Sequence, residues 1–182
     1  MLRKRKIIVL IVIFFTVFIA KGIIYNISYP VIYKEYIMKY SEEYNIDPYL
    51  LTAIINAESK FDKDAKSHKG AIGLMQLTGP TAEWVAESMG DENFKMEYLY
   101  KPEQNIKMGA WYIDNIREEF DSTELVLAAY NAGRGNVQKW INSSVISADG
   151  KDYSNIPYAE TEKYIKKVLI NQKIYQILYD LS

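Results

Sequence analysis

The stretch that decides the fold is DPYLLTAIINAES, residues 47–59. Asp47 belongs to the residue types preferred at a helix N-cap, and Pro48 is favoured at the first helical position. The apolar residues that follow recur at helical spacing, and Glu58 falls on the same face as they do. The stretch therefore predicts an amphipathic helix with one carboxyl group on its apolar side.

This carboxyl group has two interpretations. Glu58 lies four residues after Ile54 and seven after Leu51, so its side chain follows the buried face of the helix. A carboxyl there is partly desolvated, which raises its pKa and lets it hold a proton near neutral pH. Glu58 is then a candidate general acid. Alternatively, the last helical turn faces outward and Glu58 is simply solvated.

The chain after residue 30 has mainly helical periodicity, with few runs of strand alternation. Residues with strong boundary preferences predict where the other helices begin or end: a stop at Gly90, a start at Pro102, a capping box at Asp121 and Glu124, a stop at Gly133, and a final helix from Pro157 toward Tyr179. We find no fixed-period repeat and no internal linker. The sequence therefore predicts an all-α fold, one compact helical lobe.

Composition excludes several classes of function. The chain has 182 residues and a net charge of -1, but four of its 22 basic residues are residues 3–6, and the remainder has a net charge of -5. Nucleic-acid binding would require a clustered basic surface, so we expect no nucleic-acid partner. The absence of cysteine excludes disulfides and thiolate-bound metals, and the single histidine, His68, cannot build a His-rich metal site.

The N-terminus has the pattern of a targeting or membrane segment. A basic cluster precedes IIVLIVIFFTVFIA, residues 7–20. As a cleaved signal peptide, it would end near the small-residue site AKG; as an anchor, it would continue past Lys21 to the roughly 20 residues that a spanning helix requires. We expect residues 1–27 to be a membrane anchor or signal segment. Residues 28–182 are then a domain outside the cytoplasm, held at the cell membrane or secreted.

Two further clusters combine small residues with polar side chains. GAIGLMQLTGPTA, residues 70–82, has two glycines three residues apart, followed by Gln76, whose amide can donate and accept hydrogen bonds. AAYNAGRGN, residues 128–136, places Tyr130 and Asn131 at a helix end. Neither cluster is a phosphate-binding loop. Each alone is also compatible with an ordinary turn or helix cap.

The order and spacing of these segments resemble one family. The resemblance rests on ESKFDKDAKSHKGAIGLMQLTGPTA (58–82), PEQNIKMGAWYI (102–113), AAYNAGRGNVQKW (128–140) and IPYAETEKYIKKV (156–168). Together they resemble the transglycosylase SLT domain, which is also similar to goose-type lysozyme. The resemblance covers roughly residues 40–179 and implies a lysozyme-like helical fold.

The resemblance also implies an activity and its residues. SLT domains cleave the β-1,4 bond between N-acetylmuramic acid and N-acetylglucosamine in peptidoglycan, without water and without a metal or organic cofactor. Glu58 would be the catalytic acid and then the base. The residues that would bind or support the glycan substrate are Ser59, Ser67, Gly73, Met75, Gln76, Tyr130, Asn131 and Tyr164. The implied partners are peptidoglycan strands and, through the N-terminal segment, the membrane.

Two alternatives remain open. A hydrolytic glycosidase usually needs two carboxyl groups, about 5 Å apart for retention or roughly 6.5 to 9.5 Å apart for inversion, whereas a lytic transglycosylase uses one. Asp62 and Asp64 are the acids nearest to Glu58 in sequence, within a loop that departs from the family pattern at Lys60. A hydrolytic muramidase could use one of them. A non-catalytic peptidoglycan-binding scaffold is the other alternative.

Overall fold

The computed structural model describes Arg5, residues 11–16, Gly22 and residues 28–181. The chain divides into two units, Met1–Ile32 and Tyr33–Ser182. The predicted anchor or signal segment, residues 1–27, falls largely outside the described residues. Among the residues that are described, no helix has both the length and the apolar character needed to cross a membrane.

The unit that begins at Tyr33 is helical, as predicted. Its described residues form α1 (Lys34–Glu43), α2 (Pro48–Ser59), α3 (Gly79–Ser88), a 3₁₀ helix (Met96–Tyr100), α4 (Pro102–Arg117), α5 (Thr123–Ala132), α6 (Arg134–Asn142) and α7 (Ala159–Leu178). Within residues 28–181 the only β-type pairings are isolated bridges in the loop between α2 and α3. The all-α prediction is therefore confirmed for the described part of the chain.

Helix α2 lies at the centre of this unit. The Asp47 side chain accepts a hydrogen bond from the Tyr49 N–H at 3.0 Å, so the predicted start of the helix is confirmed. Leu51, Ile54 and Ile55 are fully buried, and each contributes about 1.5 to 3 kcal/mol relative to an exposed side chain. The helix packs most extensively against α7. This packing places the end of α2, with its carboxyl group, beside the first half of α7.

Two predicted helix boundaries were wrong. The N-cap of α5 is Ser122, whose hydroxyl accepts from the Leu125 N–H at 3.2 Å, so the proposed box at Asp121 and Glu124 is one residue out of register. Helix α7 begins at Ala159 rather than at Pro157. Tyr158 keeps an extended backbone at φ -98° and ψ 99°, and its ring packs edge-on against Trp140 at 5.2 Å between centroids. This tertiary packing keeps the backbone extended at Tyr158, so the helix begins after that residue.

The loop between α2 and α3 is held by one buried amide. Asn105 of α4 accepts from the Met75 N–H at 2.8 Å and donates to the carbonyls of Leu99 at 2.8 Å and Ile72 at 3.1 Å. Gly73 has a φ of +77°, and a Cβ there would collide with the Asn105 amide and the Leu99 carbonyl. Only glycine fits both the backbone angle and the close approach. Asn105 therefore fixes the part of this loop that contains Ile72, Gly73 and Met75.

Candidate active site

Glu58 lies in the last turn of α2 and is partly exposed. Its pKa is raised to about 7, and burial is the largest cause. The Tyr164 hydroxyl and the Lys167 charge lower this pKa, whereas the Glu160 charge raises it. The Glu58 carboxyl is therefore closely surrounded by protein and still partly reached by solvent. These surroundings agree with the first interpretation of Glu58, a partly desolvated carboxyl, rather than with a fully solvated one.

Two tyrosines from different helices flank this carboxyl. The Tyr130 hydroxyl of α5 donates to the Met75 carbonyl at 2.7 Å. Burial raises the pKa of Tyr130 well above its ordinary value, and the charge of Glu58 raises it further. Tyr164 of α7 is buried, and its pKa is raised by the same two causes in the same order. A base would therefore have difficulty removing either phenolic proton, and both tyrosines act as neutral hydroxyl groups.

The Tyr164 hydroxyl stands in an unusual position. It is buried and makes no hydrogen bond of standard geometry with the described residues. It nevertheless lowers the pKa of Glu58, as a hydrogen-bond donor does. The two observations agree if the hydroxyl faces the carboxyl just outside standard hydrogen-bond geometry. Buried hydroxyls are normally paired, so this one is poised to donate to the carboxylate when Glu58 loses its proton.

A cavity of about 220 Å³ is lined by Tyr130, one of the two tyrosines on whose pKa the Glu58 charge acts. It brings together three of the residues named from the sequence, Gln76, Tyr130 and Asn131, and its remaining lining residues are Leu77, Thr78, Thr81, Tyr112, Ala132 and Gly133. Glu58 does not line the cavity itself. Tyr130 connects the two, because it lines the cavity and its pKa responds to the Glu58 charge.

Gln76 has a constrained backbone and side chain. Its φ is 49°, in the left-handed region that non-glycine residues rarely adopt. Its amide donates to the carbonyls of Gly73 at 2.9 Å and Ala65 at 3.2 Å. These two bonds fix the amide at the edge of the cavity. Strained conformations of this kind persist where the surrounding structure determines them, often at functional sites.

Asn131 links the cavity to α7. Its Oδ1 accepts a hydrogen bond from the Thr161 hydroxyl at 2.8 Å, and Thr161 is buried in the first turn of α7. Tyr164 lies one turn further along the same helix. The Asn131–Thr161 bond therefore fixes the start of α7 relative to α5. It thereby also fixes the position of Tyr164, one turn further along α7.

Four of the predicted substrate-binding residues serve the scaffold in this structure. Met75 is fully buried, with its side chain packed against Gly109, and Gly73 is buried under Asn105. Both residues are thus buried in this structure, and their contact with the glycan stays a prediction. Ser59 donates from its Oγ to the Leu74 carbonyl at 2.8 Å, and Ser67 accepts from the Ala71 N–H at 3.0 Å. Both are partly exposed, and glycan contact by these serines stays a prediction.

The two aspartates that offered a second carboxyl belong to an exposed turn. Asp62 accepts from the Asp64 N–H at 3.0 Å, and Asp64 pairs with Lys63 at 2.8 Å. These contacts are local and solvated, as expected for loop capping. Residues 28–181 and the described part before them contain no group of three or more His, Asp and Glu side chains that could hold a metal ion.

Sequence reasoning missed Glu160 and Lys167. Both act electrostatically on Glu58, and with Tyr164 they follow the spacing i, i+4, i+7, which places all three on one face of α7. That spacing is a signal that was visible in ETEKYIKKV. No sequence pattern indicated that Asn105 holds the loop, because its hydrogen-bond partners lie 6 to 33 residues away in the chain.

The raised pKa of Glu58 predicts a cost to stability at high pH. An unfolded glutamate loses its proton near pH 4.5, whereas the folded one keeps it to about pH 7, so stability falls as the pH rises through this window. We expect Glu58→Gln to be more stable than the parent at pH 8 by roughly 1 to 3 kcal/mol, with little difference below pH 4.5. Urea unfolding at both pH values tests this. Equal stabilities at pH 8 would contradict a buried, ionised Glu58.

Comparisons with known proteins agree with this geometry. The family model described as transglycosylase SLT domain matches residues 35–152. The soluble lytic murein transglycosylase of Salmonella typhimurium is 30% identical over 151 residues, which cover 81% of this chain and 23% of that protein. The membrane-bound lytic murein transglycosylase C of Pectobacterium atrosepticum is 31% identical over 173 residues, which cover 79% of this chain and 46% of the relative. The chain thus spans about a quarter to a half of these relatives.

Solved structures give the same result. The 70 kDa soluble lytic transglycosylase of Escherichia coli superimposes with a TM-score of 0.74 at 30% identity, covering 82% of this chain and 25% of that one. A complex of the 70-kDa soluble lytic transglycosylase with bulgecin A gives a TM-score of 0.75 at 29% identity, with the same coverage. The helical fold is therefore the lysozyme-like fold of these enzymes. With the family match over residues 35–152, these similarities show that the chain belongs to the transglycosylase SLT domain family.

Proposed function

We propose that this chain is a peptidoglycan lytic transglycosylase. It cleaves the β-1,4 bond between N-acetylmuramic acid and N-acetylglucosamine and leaves 1,6-anhydro-muramyl ends. The observation that carries the proposal is Glu58, a carboxyl group with a pKa of about 7 that acts on two neutral tyrosines, of which Tyr130 lines a cavity. The names of the relatives, lytic murein transglycosylases, support the same activity.

The reaction uses the same carboxyl group twice. With a pKa of about 7, Glu58 is protonated in a large fraction of molecules at neutral pH, so it can donate its proton to the glycosidic oxygen as the bond to C1 breaks. The 2-acetamido group of the substrate stabilises the positive charge at C1. The Glu58 carboxylate then takes the proton from the 6-hydroxyl as O6 bonds to C1. The carboxyl ends as it began, and no water is consumed.

The surrounding residues suit both steps. Tyr164 can donate to the Glu58 carboxylate formed after the first proton transfer, which stabilises the charged intermediate state. Tyr130 is fixed by its bond to the Met75 carbonyl, so it forms a stable part of the cavity wall. Gln76 and Asn131 supply polar groups at the cavity edge for the acetamido and hydroxyl groups of the sugars.

The engagement of the nearest aspartates elsewhere favours lytic transfer over hydrolysis. Glu160, the other carboxylate that acts on Glu58, does so through its charge from an exposed position near Lys69. A hydrolytic muramidase would require a second acid that faces the same bond. Asp62 and Asp64 are occupied by their own turn and by Lys63, and both are exposed. A non-catalytic scaffold would not require an acid whose pKa is tuned to neutral pH.

We also propose that residues 1–27 direct residues 28–182 out of the cytoplasm, as an anchor or as a cleaved signal. The basic cluster followed by the apolar run supports this export. Relatives of this chain include one named as membrane-bound. Mass spectrometry of the N-terminus of the protein isolated from cells distinguishes an intact anchor from a chain that starts after the small-residue site AKG, at residue 23. A cytoplasmic protein with an intact N-terminus would contradict export.

The products of digestion test the proposed activity. We expect the full-length protein, incubated with purified peptidoglycan, to release fragments that are one water lighter than hydrolysis products, because O6 replaces water at C1. Intact-mass measurement separates the two. Fragments with reducing ends alone would identify a hydrolytic muramidase. Binding to the insoluble wall without any release would identify a scaffold.

A further inference from the structure

One face of α7 carries three groups that act on Glu58. Glu160, Tyr164 and Lys167 occupy positions i, i+4 and i+7, so they line up along the side of α7 that packs against α2. The two ends of this row have opposite charge. Glu58 is therefore acted on by a negative group at one end of the row and by a positive group at the other.

Lys167 makes a direct contact with the helix that carries Glu58. Its Nζ donates to the carbonyl of Ala57, the residue before Glu58, at 2.6 Å. The last carbonyls of a helix lack partners within the helix and carry a partial negative charge. Helix α2 has no basic residue in its own last turn. Lys167 supplies that positive charge from a different helix.

We propose that Lys167 is a positioning residue that holds the last turn of α2 and sets the pH range over which Glu58 can act. Lys167 acts on Glu58 in two ways, by its hydrogen bond to the carbonyl of the preceding residue, Ala57, and by its positive charge. Neither effect requires contact with the substrate. The inference deepens the proposed transglycosylase function and rests on it for its catalytic meaning.

The charges around Glu58 support this role. The positive charge of Lys167 lowers the pKa of Glu58, and the negative charge of Glu160 raises it, so the two work against each other. Glu160 is itself partly screened, because Lys69 lies 3.8 Å away and both side chains are exposed. Lys167 is also exposed, but it contacts the Ala57 carbonyl, and partial burial is the main reason that its own pKa is lowered.

The other titratable groups near this row do not replace Lys167. Tyr130 and Tyr164 remain neutral, since their pKa values are raised by burial and by the Glu58 charge. Lys60, just beyond the end of α2, also acts on Lys167 and lowers its pKa. Among the described residues that shift the pKa of Glu58, Lys167 carries the positive charge and Glu160 the negative charge.

A comparison of three substitutions tests the proposal in the full-length protein. Lys167→Met removes the charge, Lys167→Arg keeps it, and Glu160→Gln removes the opposing charge on the same helix. Carbon-13 NMR of the glutamate carboxyls, with Glu58 assigned through Glu58→Gln, follows the titration directly. The alkaline limb of kcat/KM on peptidoglycan follows the same proton during turnover, because Glu58 must be protonated to act first as an acid.

We expect Lys167→Met to raise the titration midpoint of Glu58 and the alkaline limb together by about half to one pH unit, the size expected for one nearby charge close to the surface. Glu160→Gln should move both in the opposite direction by a smaller amount, and Lys167→Arg should leave both near the parent value. A purely structural role for Lys167 would reduce kcat/KM at every pH without moving either midpoint, and that result would overturn the proposal.

The two readouts separate this proposal from the proposed function. If the parent protein cleaves no peptidoglycan, the function is wrong, and the NMR titration still decides whether Lys167 controls Glu58. If the parent cleaves peptidoglycan and the Glu58 midpoint is unchanged in Lys167→Met, the function stands and the role of Lys167 is refuted. Thermal unfolding followed by circular dichroism verifies that each variant is folded under the conditions of the titration, and Lys167→Gln replaces Lys167→Met if the latter is not.

Discussion

Replacing Glu58 with Gln is expected to reduce the cleavage of peptidoglycan by about 10³-fold or more. General acid or base catalysis by one group typically contributes 10²- to 10⁴-fold, and here one side chain performs both steps. A glutamine amide can neither protonate the glycosidic oxygen nor take the proton from the 6-hydroxyl. The substitution keeps the size and shape of the side chain, so binding to the insoluble wall should be retained. The release of soluble fragments measures cleavage, and sedimentation of the protein with the insoluble wall measures binding.

The aspartates of the neighbouring loop provide the matched control. Asp62→Asn and Asp64→Asn make the same carboxylate-to-amide change within six residues of Glu58 but at exposed positions. Both should retain activity within about twofold, since substitutions on an exposed surface usually have small effects. Full activity of Glu58→Gln would refute its assigned role. Loss of activity in Asp62→Asn would instead point to a mechanism with two carboxyl groups.

The features that the sequence predicted well are local ones. Asp47 and Pro48 determine the start of α2 through their own backbone preferences, and the 3.6-residue period places Glu58 on the apolar side whatever that side packs against. The capping error at Asp121 was also local. Asp121 and Ser122 are both good N-cap residues, and the choice between them depends on which backbone the preceding loop leaves extended.

The features that the sequence did not predict depend on contacts between distant segments. Met75 lies within a motif that suggested a substrate contact, yet α4 approaches so closely at Gly109 that its side chain is buried. The interaction of Lys167 with the end of α2 depends on the packing of α7 against α2, which the sequence does not indicate. Periodicity indicates which residues share a face of a helix. It does not indicate which neighbour that face meets.

Asn105 is the buried residue outside the active site whose loss we expect to cost most. Asn105→Ala leaves the Met75 N–H and the Leu99 carbonyl without their Asn105 partner in the interior, and the Ile72 carbonyl keeps only its bond from the Leu77 N–H. A buried polar group left unpaired costs about 1 to 3 kcal/mol, so we expect the free energy of unfolding to fall by about 3 to 5 kcal/mol once partial relaxation is allowed for. Urea unfolding at constant pH measures this change.

The same substitution should also impair catalysis in the molecules that remain folded. The Met75 carbonyl accepts a hydrogen bond from the Tyr130 hydroxyl, so movement of the loop at Met75 displaces Tyr130, which lines the cavity and interacts with the Glu58 charge. Asn115→Ala is the matched control, because Asn115 lies on the same helix and bonds to the exposed Glu118 and to Arg134. It should cost less than about 1 kcal/mol and leave kcat unchanged. If Asn105→Ala behaved like Asn115→Ala, the loop would be held by its own turns, and Asn105 would not connect the fold to the site.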